Sequence, residues 1–63
     1  MDYRNDNFKL IAENNFLKVL LNVENDMYYL VDMDYVWMSE STNYDKLMRE
    51  YRVLTKISYS IAG

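Results

Sequence analysis

Apolar and polar positions alternate most cleanly between residues 27 and 38. The odd positions are Met27, Tyr29, Val31, Met33, Tyr35 and Trp37, all large and apolar or aromatic. The even positions are Tyr28, Leu30, Asp32, Asp34, Val36 and Met38, with two carboxylates at the centre. A period of two is that of a strand, and it predicts the odd set in a core with Asp32 and Asp34 turned to water. Residues 16–23 alternate as well, with Leu17, Val19, Leu21 and Val23 on one side and Phe16, Lys18, Leu20 and Asn22 on the other. The two runs are separated by Glu24-Asn25-Asp26, residue types that favour turns, so they predict a hairpin. Asn14-Asn15 marks an earlier turn. Residues 8–13 fit either a short strand or one helical turn.

Beyond position 38 the pattern changes. Ser39–Thr42 is polar, and Thr42 with Asp45 three residues later has the form of a capping box, aspartate replacing the usual glutamate. Tyr44, Leu47, Met48 and Tyr51 then recur at i, i+3, i+4 and i+7, the stripe of a short amphipathic helix. From Val53 to Ile61 the β-branched residues Val53, Thr55, Ile57 and Ile61 alternate with Leu54, Lys56, Ser58 and Ser60. That favours a closing strand over a helix running on through Leu54 and Ile61. The elements together predict an α+β fold, an antiparallel sheet of about three strands with one short helix. Residues 1–63 form one small domain, with 1–7 as a flexible N-terminal arm.

Composition makes such a domain marginal. A chain of 63 residues buries only about 60% of its unfolded surface. It has no cysteine and no histidine, so disulfides are excluded and no ordinary zinc ligand set exists. Self-association is the stabilising route that remains, and a homodimer is expected. With 51% hydrophobic residues and seven tyrosines, the chain is too apolar for a disordered tail. No segment approaches the roughly 20 apolar residues needed to cross a bilayer. The polar start Met1-Asp2-Tyr3-Arg4-Asn5-Asp6-Asn7 does not read as a signal peptide. A cytoplasmic setting is expected.

The net charge of −3 hides a partition. Residues 1–18 balance three acids against three bases. Residues 19–45 hold Glu24, Asp26, Asp32, Asp34, Glu40 and Asp45 and no base. Residues 46–63 hold Lys46, Arg49, Arg52 and Lys56 against Glu50 alone. The middle block creates a negative potential that attracts basic partners, though acidic surface also serves solubility.

Catalysis is not expected. The usual general base and the thiolate nucleophile are missing, and no glycine-rich loop exists to cradle phosphate. No cofactor or metal is implied. Residues two apart on a strand lie about 6.8 Å apart, close to successive phosphates of a nucleic-acid strand. Asp32 and Asp34 have that spacing on the predicted strand, and Asp26 and Glu40 share its parity. The same row also fits an ordinary hydrophilic sheet face. The Tyr44, Leu47, Met48, Tyr51 stripe and Trp37 fit a core, a dimer seam or a receiving pocket.

Several short segments resemble the small uracil-DNA glycosylase inhibitors of Bacillus podoviruses with protein-primed genomes. The matching pieces are Leu20-Leu21, the turn Glu24-Asn25-Asp26, Tyr28-Tyr29, the Ser39–Thr42 cap, Tyr44-Asp45-Lys46-Leu47-Met48, and Val53–Ile61 as closing strand. They span roughly residues 16–61. Met48 stands where that family has a second helix aromatic, and Leu30 where it has an acid. The resemblance implies a homodimer that fills the DNA groove of the glycosylase and captures the enzyme's apolar DNA wedge between two helices. It implies that Asp32, Asp34, Glu40 and Asp45 imitate phosphate while Tyr44, Leu47 and Met48 line the pocket. The alternatives are a phage-encoded inhibitor of another host defence or repair protein, and a small dimeric DNA-binding regulator that uses Lys46, Arg49, Arg52 and Lys56.

Overall fold

The computed structural model describes residues 2–63. Four strands, β1 (Phe8–Glu13), β2 (Leu17–Asn22), β3 (Met27–Asp32) and β4 (Trp37–Ser41), precede one helix, α1 (Tyr44–Ala62). The strands form an antiparallel meander in the order β1-β2-β3-β4, and α1 crosses one face of it. The α+β class stands, with four strands where about three were expected. The ambiguous residues 8–13 form an edge strand.

The predicted β2–β3 hairpin forms in register from Leu17 opposite Asp32 to Asn22 opposite Met27. Asparagines set the turns. At the first turn Asn14 Oδ1 accepts from the N–H groups of Phe16 and Leu17. At the second, Asp26 takes φ 56° and Asn25 Oδ1 accepts from the Met27 N–H. Both residue types tolerate the left-handed region better than most.

Alternation gives the sheet two apolar faces. Leu17, Val19 and Leu30 meet Leu47 beneath the helix, flanked by Ile11, Phe16, Tyr28, Met48, Tyr51 and Leu54. The opposite face gathers Leu20, Tyr29 and Val31 under Tyr3, with Phe8, Met27 and Tyr35 around them. Tyr3 is buried, its ring 5.2 Å from Phe8 and 5.5 Å from Tyr29. The segment expected as a flexible arm is therefore pinned across the sheet at Tyr3, because the face away from the helix has no other cover for its aromatics.

Two further expectations are corrected. Residues 27–38 are not one strand: β3 stops at Asp32, the chain turns through 33–36, and β4 begins at Trp37. Met33 and Trp37, expected in the core, are consequently exposed. Residues 53–61 are helical rather than a closing strand. Leu47, Tyr51, Leu54 and Ser58 make a continuous inward stripe at helical spacing, and no turn residue interrupts it. Thr55, a strand-favouring residue, is accommodated by donating its hydroxyl to the Tyr51 carbonyl.

The helix starts at Asn43 rather than Thr42. Asn43 Oδ1 accepts from the Lys46 N–H at 3.0 Å, so no Thr42–Asp45 box forms, while Asp45 sits favourably in the first turn. Nineteen residues of helix reach about 28 Å, against roughly 20 Å for a six-residue strand. The C-terminal turns therefore outrun the sheet, steadied by Tyr59 against Phe16 at 4.8 Å.

Candidate functional site

The acidic residues occupy turns, an edge strand and the helix start. Glu24 and Asp26 lie on the β2–β3 turn, Asp32 and Asp34 bracket the start of the β3–β4 turn, Glu40 is on β4, and Asp45 opens α1. All but the half-buried Asp32 are exposed. The phosphate-like row along one strand does not exist, because the chain leaves extended geometry after Asp32.

Asp32 has a structural task instead. Its Oδ1 accepts from the N–H groups of Asp34 at 2.8 Å and Val36 at 2.9 Å. Its own carbonyl accepts from Tyr35 at 3.0 Å. These bonds hold Tyr35 at φ 63°, an uncommon conformation for a bulky residue. The Tyr35 ring is flanked by the Arg4 guanidinium at 5.3 Å and the Lys18 ammonium at 5.4 Å, which tie the N-terminal segment and β2 to the turn. Replacing Asp32 with alanine leaves two turn N–H groups without their acceptor. We expect a loss of about 0.5–1.5 kcal/mol in urea unfolding, whereas Asp34→Ala, on an exposed side chain, is expected to cost about 0.5 kcal/mol or less.

Lys18 is itself paired with Glu13 at 3.0 Å, and this hydrogen bond raises the lysine pKa above its ordinary range. The contribution of the raised lysine pKa is fully present at neutral pH and is lost as pH rises through the raised value. Burial, reinforced by Tyr29 and Glu40, likewise raises the Tyr3 pKa, so its phenol stays protonated. Among the described residues no three carboxylates converge as a cation site.

The predicted apolar pocket residues separate. Leu47 is fully buried and cannot line a surface pocket within one chain. Met48 is part of the same core. Tyr44 is half-exposed, its ring 5.3 Å from Tyr28. One of two open depressions on α1 lies a helix flank away, about 430 Å³ between β4 and α1 and lined by Met38, Ser39, Arg49, Glu50, Val53 and Leu54. Ser39 donates to Glu50 at 2.6 Å across its floor. Val53, Ile57 and Ile61 continue the apolar surface beyond it, all exposed. Their i, i+4, i+8 spacing was readable as a helical stripe and was masked by their equally regular alternation.

Trp37 and Glu40 form a second unforeseen constellation on β4. The indole Nε1 donates to Glu40 Oε1 at 3.0 Å, and both side chains are exposed. The cations Lys46, Arg49, Arg52 and Lys56 are all exposed on α1, where Asp45 in the first turn is the one exposed acid, while the other exposed acids of residues 19–45 lie on the turns and β4. No helix among the described residues is long and apolar enough to cross a membrane.

Among the described residues, the carboxylates on the turns and the Val53, Ile57 and Ile61 stripe are presented on open surface. No family model, curated protein or solved structure matches the chain.

Proposed function

We propose that this chain is a binding protein that imitates DNA, an inhibitor directed at the DNA groove of uracil-DNA glycosylase. The observation that carries the reading is the presentation of the acidic block. Five of its six carboxylates are exposed on the turns, on edge strand β4 and at the start of α1, and no base lies within residues 19–45. Such a surface competes with phosphate for the cations of a DNA-binding groove and speeds encounter with them. The imitation rests on overall potential, not on a strand with phosphate spacing. In the homodimer that belongs to this reading, two helix flanks bring their Val53, Ile57 and Ile61 stripes and the Met38 groove together as the receiver for an apolar wedge. Base-flipping enzymes depend on opening the duplex, so occupying both groove and wedge stops them. Inhibition of uracil excision by the purified protein tests the proposal. An inhibitor of another host defence or repair protein uses the same surface.

A second reading has its own observation: four exposed cations on one helix. A DNA-binding regulator would use them on phosphates, with affinity falling steeply as salt rises. We expect no retardation of duplex DNA in gels at moderate salt, because the acidic turns repel the backbone. A salt-sensitive shift abolished by Arg49→Ala and Arg52→Ala would put the regulator first.

A further inference from the structure

The sheet face turned away from the helix ends at edge strand β4. Trp37 stands opposite Val31 there and Glu40 opposite Tyr29, which places both on the face of the Tyr3–Tyr29 cluster. About half of Trp37 is exposed, at 51%. Its single hydrogen-bond donor is already spent on Glu40 Oε1, so what it offers a partner is its π face. Glu40 has no cation of the described residues within ion-pair distance.

An exposed indole face beside a carboxylate with a free oxygen is suited to a cation, above all a planar guanidinium that can stack and donate at once. The protein uses this chemistry internally. Tyr35, two residues before Trp37, receives Arg4 and Lys18 on its ring, and each of those cations has its own acid, Asp2 at 3.8 Å and Glu13 at 3.0 Å. Their charges are thus locally offset, and Glu40 is left to an outside cation.

We propose that Trp37 and Glu40 form a receptor for an arginine side chain on the basic surface of a partner protein. The guanidinium lies over the indole and donates to Glu40 Oε2. The inference rests on the reading of this chain as a ligand for a DNA-binding surface, and it names the residue type that surface must contribute.

Trp37 is the only tryptophan, so its emission reports the site directly. Titration with a tri-arginine amide peptide at low salt is expected to change that emission saturably, and tri-lysine amide is expected to bind about fivefold more weakly. Glu40→Gln should weaken the arginine peptide about fivefold or more, whereas Glu24→Gln, with the same loss of charge on the β2–β3 turn, should leave it within about twofold. Trp37→Leu should remove most of the heat of binding in calorimetry, with circular dichroism showing the variant folded. Absence of binding, equal weakening by Glu40→Gln and Glu24→Gln, or equal affinity for the two peptides would overturn the receptor. The assay contains no glycosylase, so its failure is distinct from failure of the inhibitor reading. Inhibition without peptide selectivity removes only the receptor, and peptide selectivity without inhibition removes only the target.

Discussion

Leu30→Ala is expected to bring the protein to the edge of unfolding at room temperature. Leu30 is fully buried on central strand β3, where it touches the cluster of Leu17, Val19 and Leu47 that joins sheet to helix. Removing a buried leucine side chain costs about 2–5 kcal/mol, the transfer free energy plus the cavity left behind. A small domain with no disulfide has roughly 3–5 kcal/mol in total, so the substitution removes most or all of it. Val53→Ala, on the exposed helix flank, is expected to cost about 0.5 kcal/mol. Urea unfolding followed by far-ultraviolet circular dichroism checks both. A Leu30→Ala protein with an unchanged midpoint would mean that the sheet and helix do not share the core described.

The same cluster explains which features of the fold the sequence makes legible. Leu17, Val19, Tyr29 and Val31 reveal their strands because each faces a buried layer at period two, and the Asn-rich turns announce themselves by residue type. The turn at 33–36 is hidden because Met33, Asp34, Tyr35 and Val36 continue the alternation and include no glycine, proline or asparagine. Its cause is only partly local: Asp32 holds the turn amides, while the distant Arg4 and Lys18 hold the Tyr35 ring. Tyr3 is a lone aromatic in a polar stretch, with no period to betray its burial. The second half of α1 satisfies two periods at once. Its inward stripe of Leu54 and Ser58 continues that of Leu47 and Tyr51, and this continuity outweighs the strand preference of Val53, Thr55, Ile57 and Ile61.

The candidate site was legible in its charge and not in its shape. The segregation of acids from bases is present in the sequence, and the exposure of both sets follows it. The phosphate-like row depended on an unbroken strand and disappears with the turn after Asp32. The pocket residues drawn from the resemblance include Leu47, which the core consumes. Trp37 and Glu40 meet because a bulge between Leu30 and Val31 shifts the β4 register, a feature with no mark in the local sequence.

The second large effect is on uracil excision, and it tests the central claim most directly. Purified protein, shown by sedimentation to be dimeric, is mixed with a bacterial uracil-DNA glycosylase and uracil-containing duplex, and release of the base is followed. Excision is expected to stop at near-stoichiometric ratios and to recover poorly when substrate DNA is raised, because a filled groove and a captured wedge leave slowly. Asp34→Lys is expected to slow association about tenfold at low salt, since an exposed charge steers encounter. Val53→Ala with Ile57→Ala is expected mainly to speed dissociation, since apolar anchors set residence time. Abolished excision with this division between the variants is the predicted result, and undiminished excision at about tenfold molar excess of the folded dimer would contradict the account.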